Sequence, residues 1–206
     1  MTRGRFIVLE GGEGGGKSTQ ARRLRAHLEG AGRRVLLTRE PGGSPLAEAI
    51  RALVLGSWPE GVDATTELLL IFAARAAHLH ATIRPALEAG VDVICDRFVD
   101  ASYAYQGAGR ELGAAPVALL EQLVLGDLRP DCVLVLDVAP ELGMQRIAER
   151  GDNNRFDAES IAFMQRVRAA YLARAAAAPE RYAVIDAARD VDAVAAELVA
   201  TVEALR

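Results

Sequence analysis

A glycine-rich segment near the start of the sequence has the composition of a phosphate-binding loop. Residues 11–18 are Gly-Gly-Glu-Gly-Gly-Gly-Lys-Ser, which fits G-x-x-x-x-G-K-[ST], and they follow the apolar run at residues 6–9. Glycines let successive backbone N–H groups point at one anion, and the helix that follows adds its positive N-terminal end. In such a loop Lys17 reaches the β- and γ-phosphates and Ser18 binds Mg²⁺. The predicted phosphate-binding residues are Gly11, Gly12, Glu13, Gly14, Gly15, Gly16, Lys17, Ser18 and Thr19.

The basic residues narrow the class of nucleotide-binding protein. Lysine and arginine total 24, and Lys17 is the only lysine. A GTPase needs the base-reading pattern Asn-Lys-x-Asp, which a chain with its single lysine in the phosphate loop cannot contain. An ATPase of the ABC type needs its own signature and a longer chain. A small kinase is therefore the class that the sequence favours.

A kinase that joins two anions needs dense positive charge where they meet, because the transition state spreads negative charge over its oxygens. Asp96 and Arg97 follow directly on an apolar run. A carboxylate in that position can hold Mg²⁺ or its waters, so we predict Ser18 and Asp96 as the metal ligands. The arginines that can supply the charge are Arg51, Arg75, Arg97, Arg150 and Arg155.

Short apolar runs alternate with longer amphipathic segments along the chain. The predicted strands are residues 6–9, 35–38, 91–95, 132–136 and 182–185. The predicted helices are residues 17–30, 46–55, 65–89 with an interruption near Pro85, a helical region ending at 125, and residues 141–150, 159–176 and 191–205. Five apolar strands separated by helices predict an α/β fold whose parallel sheet is covered on both faces. Ligands bind such sheets outside the carboxyl ends of the strands.

Length and composition limit the alternatives. A chain of 206 residues suits one domain with a small lid, and 51% hydrophobic residues suffice for a core. The net charge of −4 disfavours a general nucleic-acid binder. We expect no signal peptide, because the N-terminal apolar run is too short, and no apolar run approaches transmembrane length. Cys95 and Cys132 lie in apolar runs, which predicts buried thiols compatible with a reducing cytoplasm.

Four motifs together resemble thymidylate kinases, from residue 6 to the last predicted helix. They are E-G-x-E-G-x-G-K-S at residues 10–18, T-R-E-P-G-G at 38–43, D-R-F-x-x-x-S-x-A-Y-Q-G at 96–107, and the arginines around 146–155. The resemblance implies a P-loop NTPase fold, doubly wound around five parallel strands, with a lid at about 147–158. It also implies transfer of the ATP γ-phosphoryl group to dTMP with Mg²⁺, and a cytoplasmic homodimer without nucleic-acid or membrane partners.

The same resemblance implies roles for single residues. Glu13 would bind the sugar 3′-hydroxyl, and Arg51 and Arg97 would hold the acceptor phosphate. Arg75 would contact the thymine edge and support that phosphate. Tyr105 would crowd the 2′ position and so favour deoxyribose. The predicted dTMP-binding residues are Glu13, Arg51, Phe72, Arg75, Arg97, Ser102, Tyr105 and Gln106, and the predicted catalytic residues are Lys17, Arg97, Arg150 and Arg155, the last two carried by the lid.

Two positions depart from the family pattern. The phenylalanine that stacks on thymine stands four residues before the arginine equated with Arg75, but Ile71 occupies that position here and Phe72 is next to it. Residues three and four apart share a helix face, so we predict that Phe72 reaches the base. Two alternatives are a local shift of the helix and the packing of Ile71 itself on the base. Ala101 replaces a frequent second serine. Two alternatives stay open: a kinase of another nucleoside monophosphate, and an ATP-dependent switch that hydrolyses slowly.

Overall fold

The computed structural model describes residues 3–150, Phe156 and residues 159–205, except the side chain of Arg150. Within these residues five strands form one parallel sheet in the order β2-β3-β1-β4-β5. The strands are β1 (Phe6–Glu10), β2 (Val35–Arg39), β3 (Asp92–Asp96), β4 (Cys132–Asp137) and β5 (Tyr182–Asp186). The five-stranded parallel sheet predicted from the apolar runs is confirmed. Most of the predicted lid, with Arg155 and the side chain of Arg150, lies outside the described residues.

Helices cover both faces of the sheet. They are α1 (Lys17–Gly30), α2 (Pro45–Leu55), α3 (Ala64–His78), α4 (Arg84–Glu88), α5 (Val99–Ser102), α6 (Ala114–Leu125), α7 (Pro140–Arg150), α8 (Ile161–Ala177) and α9 (Val191–Glu203), with π-helical turns at Leu79–Ile83 and Tyr103–Gly109. Among the residues that the structure describes, no helix is long and apolar enough to cross a bilayer.

Strand side chains alternate between two hydrophobic cores. Phe6 and Val8 of β1 point into the core beneath α3, α6 and α8, whereas Ile7 and Leu9 point into the core beneath α1 and α9. This alternation follows from the two-residue period of a strand. Both sets are fully buried, so the continuous apolar run of β1 is the pattern that a two-sided parallel sheet requires.

The long helix predicted for residues 65–89 differs from the observed structure in two places. Asp63 caps α3, since its carboxylate accepts hydrogen bonds from the N–H groups of Thr65 at 2.9 Å and Thr66 at 3.1 Å. At the other end the chain widens into the π-helical turn Leu79–Ile83 and continues as α4. Pro85 lies in the first turn of α4, directly after this π-helical turn. The interruption is therefore a change of helical pitch rather than a break.

The buried carboxylate of Glu10, at the end of β1, joins three parts of the fold. Its Oε1 accepts hydrogen bonds from the N–H groups of Phe98 at 2.8 Å and Ala101 at 3.2 Å, and its Oε2 accepts one from the Tyr171 hydroxyl at 2.9 Å. Burial, and after it the charge of Asp100, raises the pKa of Glu10 from 4.5 to about 7. Glu10 thus holds the segment after β3 and helix α8 against the sheet.

The raised pKa of Glu10 makes the stability of the protein depend on pH. The native state holds the proton more tightly than the unfolded state, so this contribution is complete below about pH 4.5 and is lost as pH rises through about 7. We expect the unfolding free energy of wild type, relative to Glu10→Gln, to decrease between about pH 5 and 8 in urea denaturation. The matched control is Glu29→Gln on the exposed surface of α1, which should show no such trend. A constant difference between wild type and Glu10→Gln would contradict the assignment.

Candidate active site

The glycine loop between β1 and α1 forms a cradle at the carboxyl edge of the sheet. Gly11 and Gly14 have φ angles of 132° and 71°, and a Cβ on Gly11 would lie 2.3 Å from the carbonyl oxygen of Leu136. Only glycine fits there without displacing backbone. In this described stretch no side chain caps the N-terminus of α1. Its first N–H groups are thus available to an anion.

Lys17 and Ser18 open α1 beside this cradle. The Lys17 ammonium donates a hydrogen bond to the Gly12 carbonyl at 2.6 Å, and burial followed by the charge of Arg97 lowers the pKa of Lys17. The Ser18 hydroxyl donates to Asp96 Oδ2 at 2.6 Å. Two hard oxygen donors therefore meet where β1 and β3 end, which is the donor chemistry that Mg²⁺ prefers.

Arg97 follows β3 in a left-handed conformation, with φ at 69°, that is uncommon for residues other than glycine. Its guanidinium donates to Glu13 Oε1 at 2.6 Å and to the Gly11 carbonyl at 2.9 Å. Burial alone would lower the pKa of Arg97, but the Glu13 carboxylate raises it well above the usual arginine value. The Tyr105 hydroxyl donates to the same Glu13 oxygen at 3.0 Å. Glu13, Arg97 and Tyr105 form one cluster.

Arg75 of α3 is buried, with 1% of its surface exposed, in a second polar cluster. Its Nε donates to Glu40 at 2.7 Å and its Nη1 donates to the Ser102 hydroxyl at 3.1 Å. Nη2 donates to the Phe98 carbonyl at 2.9 Å. His78 Nδ1 donates to the other Glu40 oxygen at 3.1 Å. These contacts hold the Arg75 guanidinium in one position.

A cavity of about 370 Å³ connects the phosphate cradle with both clusters. Lys17, Ser18 and Asp96 line it at the cradle end. Seven of the eight residues predicted to bind the acceptor nucleotide also line it, namely Glu13, Arg51, Arg75, Arg97, Ser102, Tyr105 and Gln106. Arg51 donates to the Pro41 carbonyl at 2.8 Å, and burial followed by the charge of Arg39 lowers its pKa.

Phe72 is the predicted binding residue that does not line the cavity. It is 2% exposed, lies in the core beneath α3, and its ring centroid is 4.5 Å from the Arg75 guanidinium carbon. Ile71 lines the cavity instead. Neighbouring helix positions differ by about 100° in direction, so a one-residue offset turns the side chain from the cavity to the core. The Phe72 ring therefore packs against the Arg75 guanidinium from the core side.

The structure adds acidic and polar residues that the sequence analysis did not assign. Glu40 and His78 hold Arg75, and Glu67 accepts a hydrogen bond from Gln106 Nε2 at 2.8 Å. A signal for two of them exists in the sequence: Glu67, Ile71, Arg75 and His78 are spaced by three or four residues and share one face of α3. Nothing in the local pattern identifies Tyr171, which comes to Glu10 from helix α8.

Of the predicted lid arginines, Arg155 and the side chain of Arg150 lie outside the described residues. The neighbouring Arg146 of α7 donates to the Gly14 carbonyl at 3.3 Å and to the Ala187 carbonyl at 2.9 Å. The helix that leads toward the predicted lid is therefore attached to the phosphate cradle.

Comparison with known proteins identifies the family. The family model described as thymidylate kinase matches residues 9–198. The thymidylate kinase of Pseudomonas fluorescens is 58% identical over 186 residues, 90% of this chain and 89% of that protein. The thymidylate kinase of Pseudomonas syringae pv. tomato is 56% identical over 195 residues, 95% of this chain and 93% of that protein.

A solved structure supports the same assignment. The crystal structure of thymidylate kinase from Ehrlichia chaffeensis superimposes with a TM-score of 0.79 at 33% identity and covers 98% of this chain and 99% of that chain. The similarity spans the cradle, both polar clusters and the helices that carry them. On sequence and fold together, the chain belongs to the thymidylate kinase family.

Proposed function

We propose that this chain catalyses the transfer of the ATP γ-phosphoryl group to dTMP, giving dTDP and ADP, and that the cavity holds dTMP. The observation that carries the proposal is the contact between Glu13 and Arg97 at 2.6 Å. Glu13 belongs to the loop that binds the donor phosphates, whereas Arg97 lines the acceptor cavity. Donor and acceptor groups therefore meet at this ion pair.

In the proposed complex each cluster binds one part of dTMP. Arg97 and Arg51 bind the acceptor phosphate, and Glu13 accepts a hydrogen bond from the sugar 3′-hydroxyl. Tyr105 lies against the sugar and disfavours a 2′-hydroxyl. Arg75, Ser102 and Gln106 bind the edge of thymine, and Ile71 packs on its face in place of Phe72.

The reaction needs no general base and no covalent protein intermediate, because the acceptor phosphate is already an anionic nucleophile. An oxygen of the dTMP phosphate bonds to the γ-phosphorus, and the bond from that phosphorus to the β,γ-bridging oxygen breaks with its electron pair leaving on ADP. Lys17 and Arg97 stabilise the negative charge that spreads over the phosphoryl oxygens. The cavity positions both reactants and limits their access to water.

Mg²⁺ fits the donor end of the site. Ser18 and Asp96 present adjacent oxygen atoms, and Mg²⁺ is usually held by one or two protein oxygens together with waters and substrate phosphates. Among the described residues no group of three acidic, histidine or cysteine side chains forms a metal site by itself. We propose that Ser18 and Asp96 hold the ion that accompanies ATP. When bound, Mg²⁺ neutralises phosphate charge.

We further propose that the chain is a single domain whose lid, at about residues 147–158, closes over ATP and supplies Arg150 and Arg155. Arg146, which donates a hydrogen bond to the cradle, immediately precedes this segment. The buried free thiols of Cys95 and Cys132 suit the reducing cytoplasm that we propose as the location.

A homodimer is the proposed assembly, and α6 offers a surface for it. Leu119 and Leu123 lie four residues apart on one helix face, with 72% and 77% of their surface exposed. The neighbouring helix α3 exposes Leu69 at 53%. Apolar side chains exposed together mark a contact surface.

The acceptor is tested by ADP release from ATP and Mg²⁺ with dTMP, dUMP, TMP with ribose, dCMP, dGMP, AMP or no acceptor. We expect the highest kcat/KM with dTMP, a lower value with dUMP, and values at least about a hundredfold lower with the other nucleotides, whose polar groups leave the clusters unpaired. Release with another nucleotide would retain a kinase and overturn the assignment of Ser102, Tyr105 and Gln106. Release independent of any acceptor would favour an ATP switch.

The positions of Ile71 and Phe72 predict opposite effects of truncation. Ile71→Ala should raise KM for dTMP by about 5- to 10-fold with a small loss of stability, because it removes a contact with the base. Phe72→Ala should lower the free energy of unfolding by about 3–5 kcal/mol, because it opens a cavity under Arg75. Steady-state kinetics and urea denaturation of the two variants separate these effects. A large increase of KM for dTMP in a stable Phe72→Ala protein would instead place Phe72 on the base.

The dimer surface is tested by introducing charge on α6. Leu123→Glu should shift the protein toward monomer in sedimentation velocity, since a buried unpaired carboxylate opposes association. Val191→Glu, an exposed position in the first turn of α9, is the matched control and should leave the assembly unchanged. A Leu123→Glu protein that sediments as wild type would remove α6 from the interface.

A further inference from the structure

Gln106, which lines the cavity, is held by a carboxylate that lies deeper in the protein. Glu67, on α3, has no exposed surface and accepts a hydrogen bond from Gln106 Nε2 at 2.8 Å. Arg110 donates to both Glu67 oxygens, each at 3.3 Å, and pairs with Glu159 at 2.6 Å. The Gln106 side chain is itself 2% exposed. The amide is therefore packed on one side against an ion pair and borders the cavity on the other.

The chemistry of a carboxylate determines which way this amide faces. A carboxylate paired with arginine accepts hydrogen bonds and donates none, whereas an amide has a donating nitrogen and an accepting oxygen. Only the nitrogen of Gln106 can therefore face Glu67. The nitrogen and oxygen of the amide need not be distinguished from their positions, because Glu67 can form a hydrogen bond with the nitrogen alone. The Gln106 oxygen is directed away from Glu67, and no described side chain donates to it.

An oxygen presented to the cavity selects between pyrimidines. Thymine offers a donating N3–H next to an accepting O4, whereas cytosine offers an accepting N3 next to a donating amino group. Arg75, whose guanidinium only donates, lines the same cavity and complements O4 of thymine. An accepting Gln106 oxygen complements N3–H. The two residues together match thymine and oppose cytosine at both positions.

We propose that Glu67 is a specificity-determining positioning residue, which selects thymine over cytosine by fixing the orientation of the Gln106 amide. The inference rests on the proposed function, because it takes the cavity to hold a pyrimidine nucleotide. Glu67 acts through Gln106. Its removal changes selectivity because a flipped amide presents its nitrogen, which suits N3 of cytosine.

The test compares Glu67→Gln with Arg110→Gln. Both variants break the same ion pair, but only Glu67→Gln replaces the obligate acceptor with a group that can also donate. The readout is the ratio of kcat/KM for dTMP to kcat/KM for dCMP within each variant, which cancels losses of folded protein. We expect this ratio to fall by at least about tenfold in Glu67→Gln and to stay within about threefold of wild type in Arg110→Gln.

Two results would overturn the inference. One is a ratio within about threefold of wild type in folded Glu67→Gln; the other is an equal fall in Arg110→Gln, which would assign the selectivity to the ion pair. If Glu67→Gln does not fold, the double variant Glu67→Gln/Arg110→Gln replaces it, because it also removes the guanidinium that would face the new amide, and the same fall is expected. If wild type phosphorylates dTMP and these variants keep the wild-type ratio, this inference alone is refuted. Wild type that does not phosphorylate dTMP refutes the proposed function and this inference with it.

Discussion

The pairing of β1 with β3 is the constraint on which the site depends. The two strands are parallel neighbours, with Val8 opposite Cys95 and Leu9 opposite Asp96. Their carboxyl ends therefore lie side by side, and the chain segments that follow the two strands lie close together. The phosphate cradle follows β1 and Arg97 follows β3, so hydrogen bonding inside the sheet brings the donor loop to the acceptor arginine. Residues nearly 90 positions apart thus form one cluster without any long loop.

Charge neutralisation inside the protein is the second organising feature. A site for two phosphorylated nucleotides needs arginines that remain charged while largely out of water, and an unpaired buried charge costs several kcal/mol. Two of the arginines that line the cavity are paired with carboxylates, Arg97 with Glu13 and Arg75 with Glu40. The carboxylates also fix the guanidinium geometry before substrate arrives. Preorganised charge of this kind lowers the cost of binding an anion.

Helix α3 shows how far local pattern reasoning extends. The helix itself and its link to the acceptor site follow from the sequence, because Arg75 and Ile71 are spaced by one turn. The placement of Phe72 on the base stays a prediction, since sequence spacing does not say which side of a helix meets the cavity. The packing of α3 against the sheet decides that, and it directs Phe72 into the core. The start of α3 is likewise set by its Asp63 side-chain cap, and its end by the backbone hydrogen bonds of the π-helical turn before Pro85.

The sequence by itself determined the phosphate cradle, the five parallel strands, the two-sided core and the family, because these depend on residue types at short spacing and on simple periodicity. Only the tertiary structure decided the strand order and which polar groups stand behind the substrate-facing residues. Glu10, Glu67 and Tyr171 reach their partners across 39 to 161 positions of chain. Such pairings depend on how the helices pack on a twisted sheet, and no local sequence pattern encodes them.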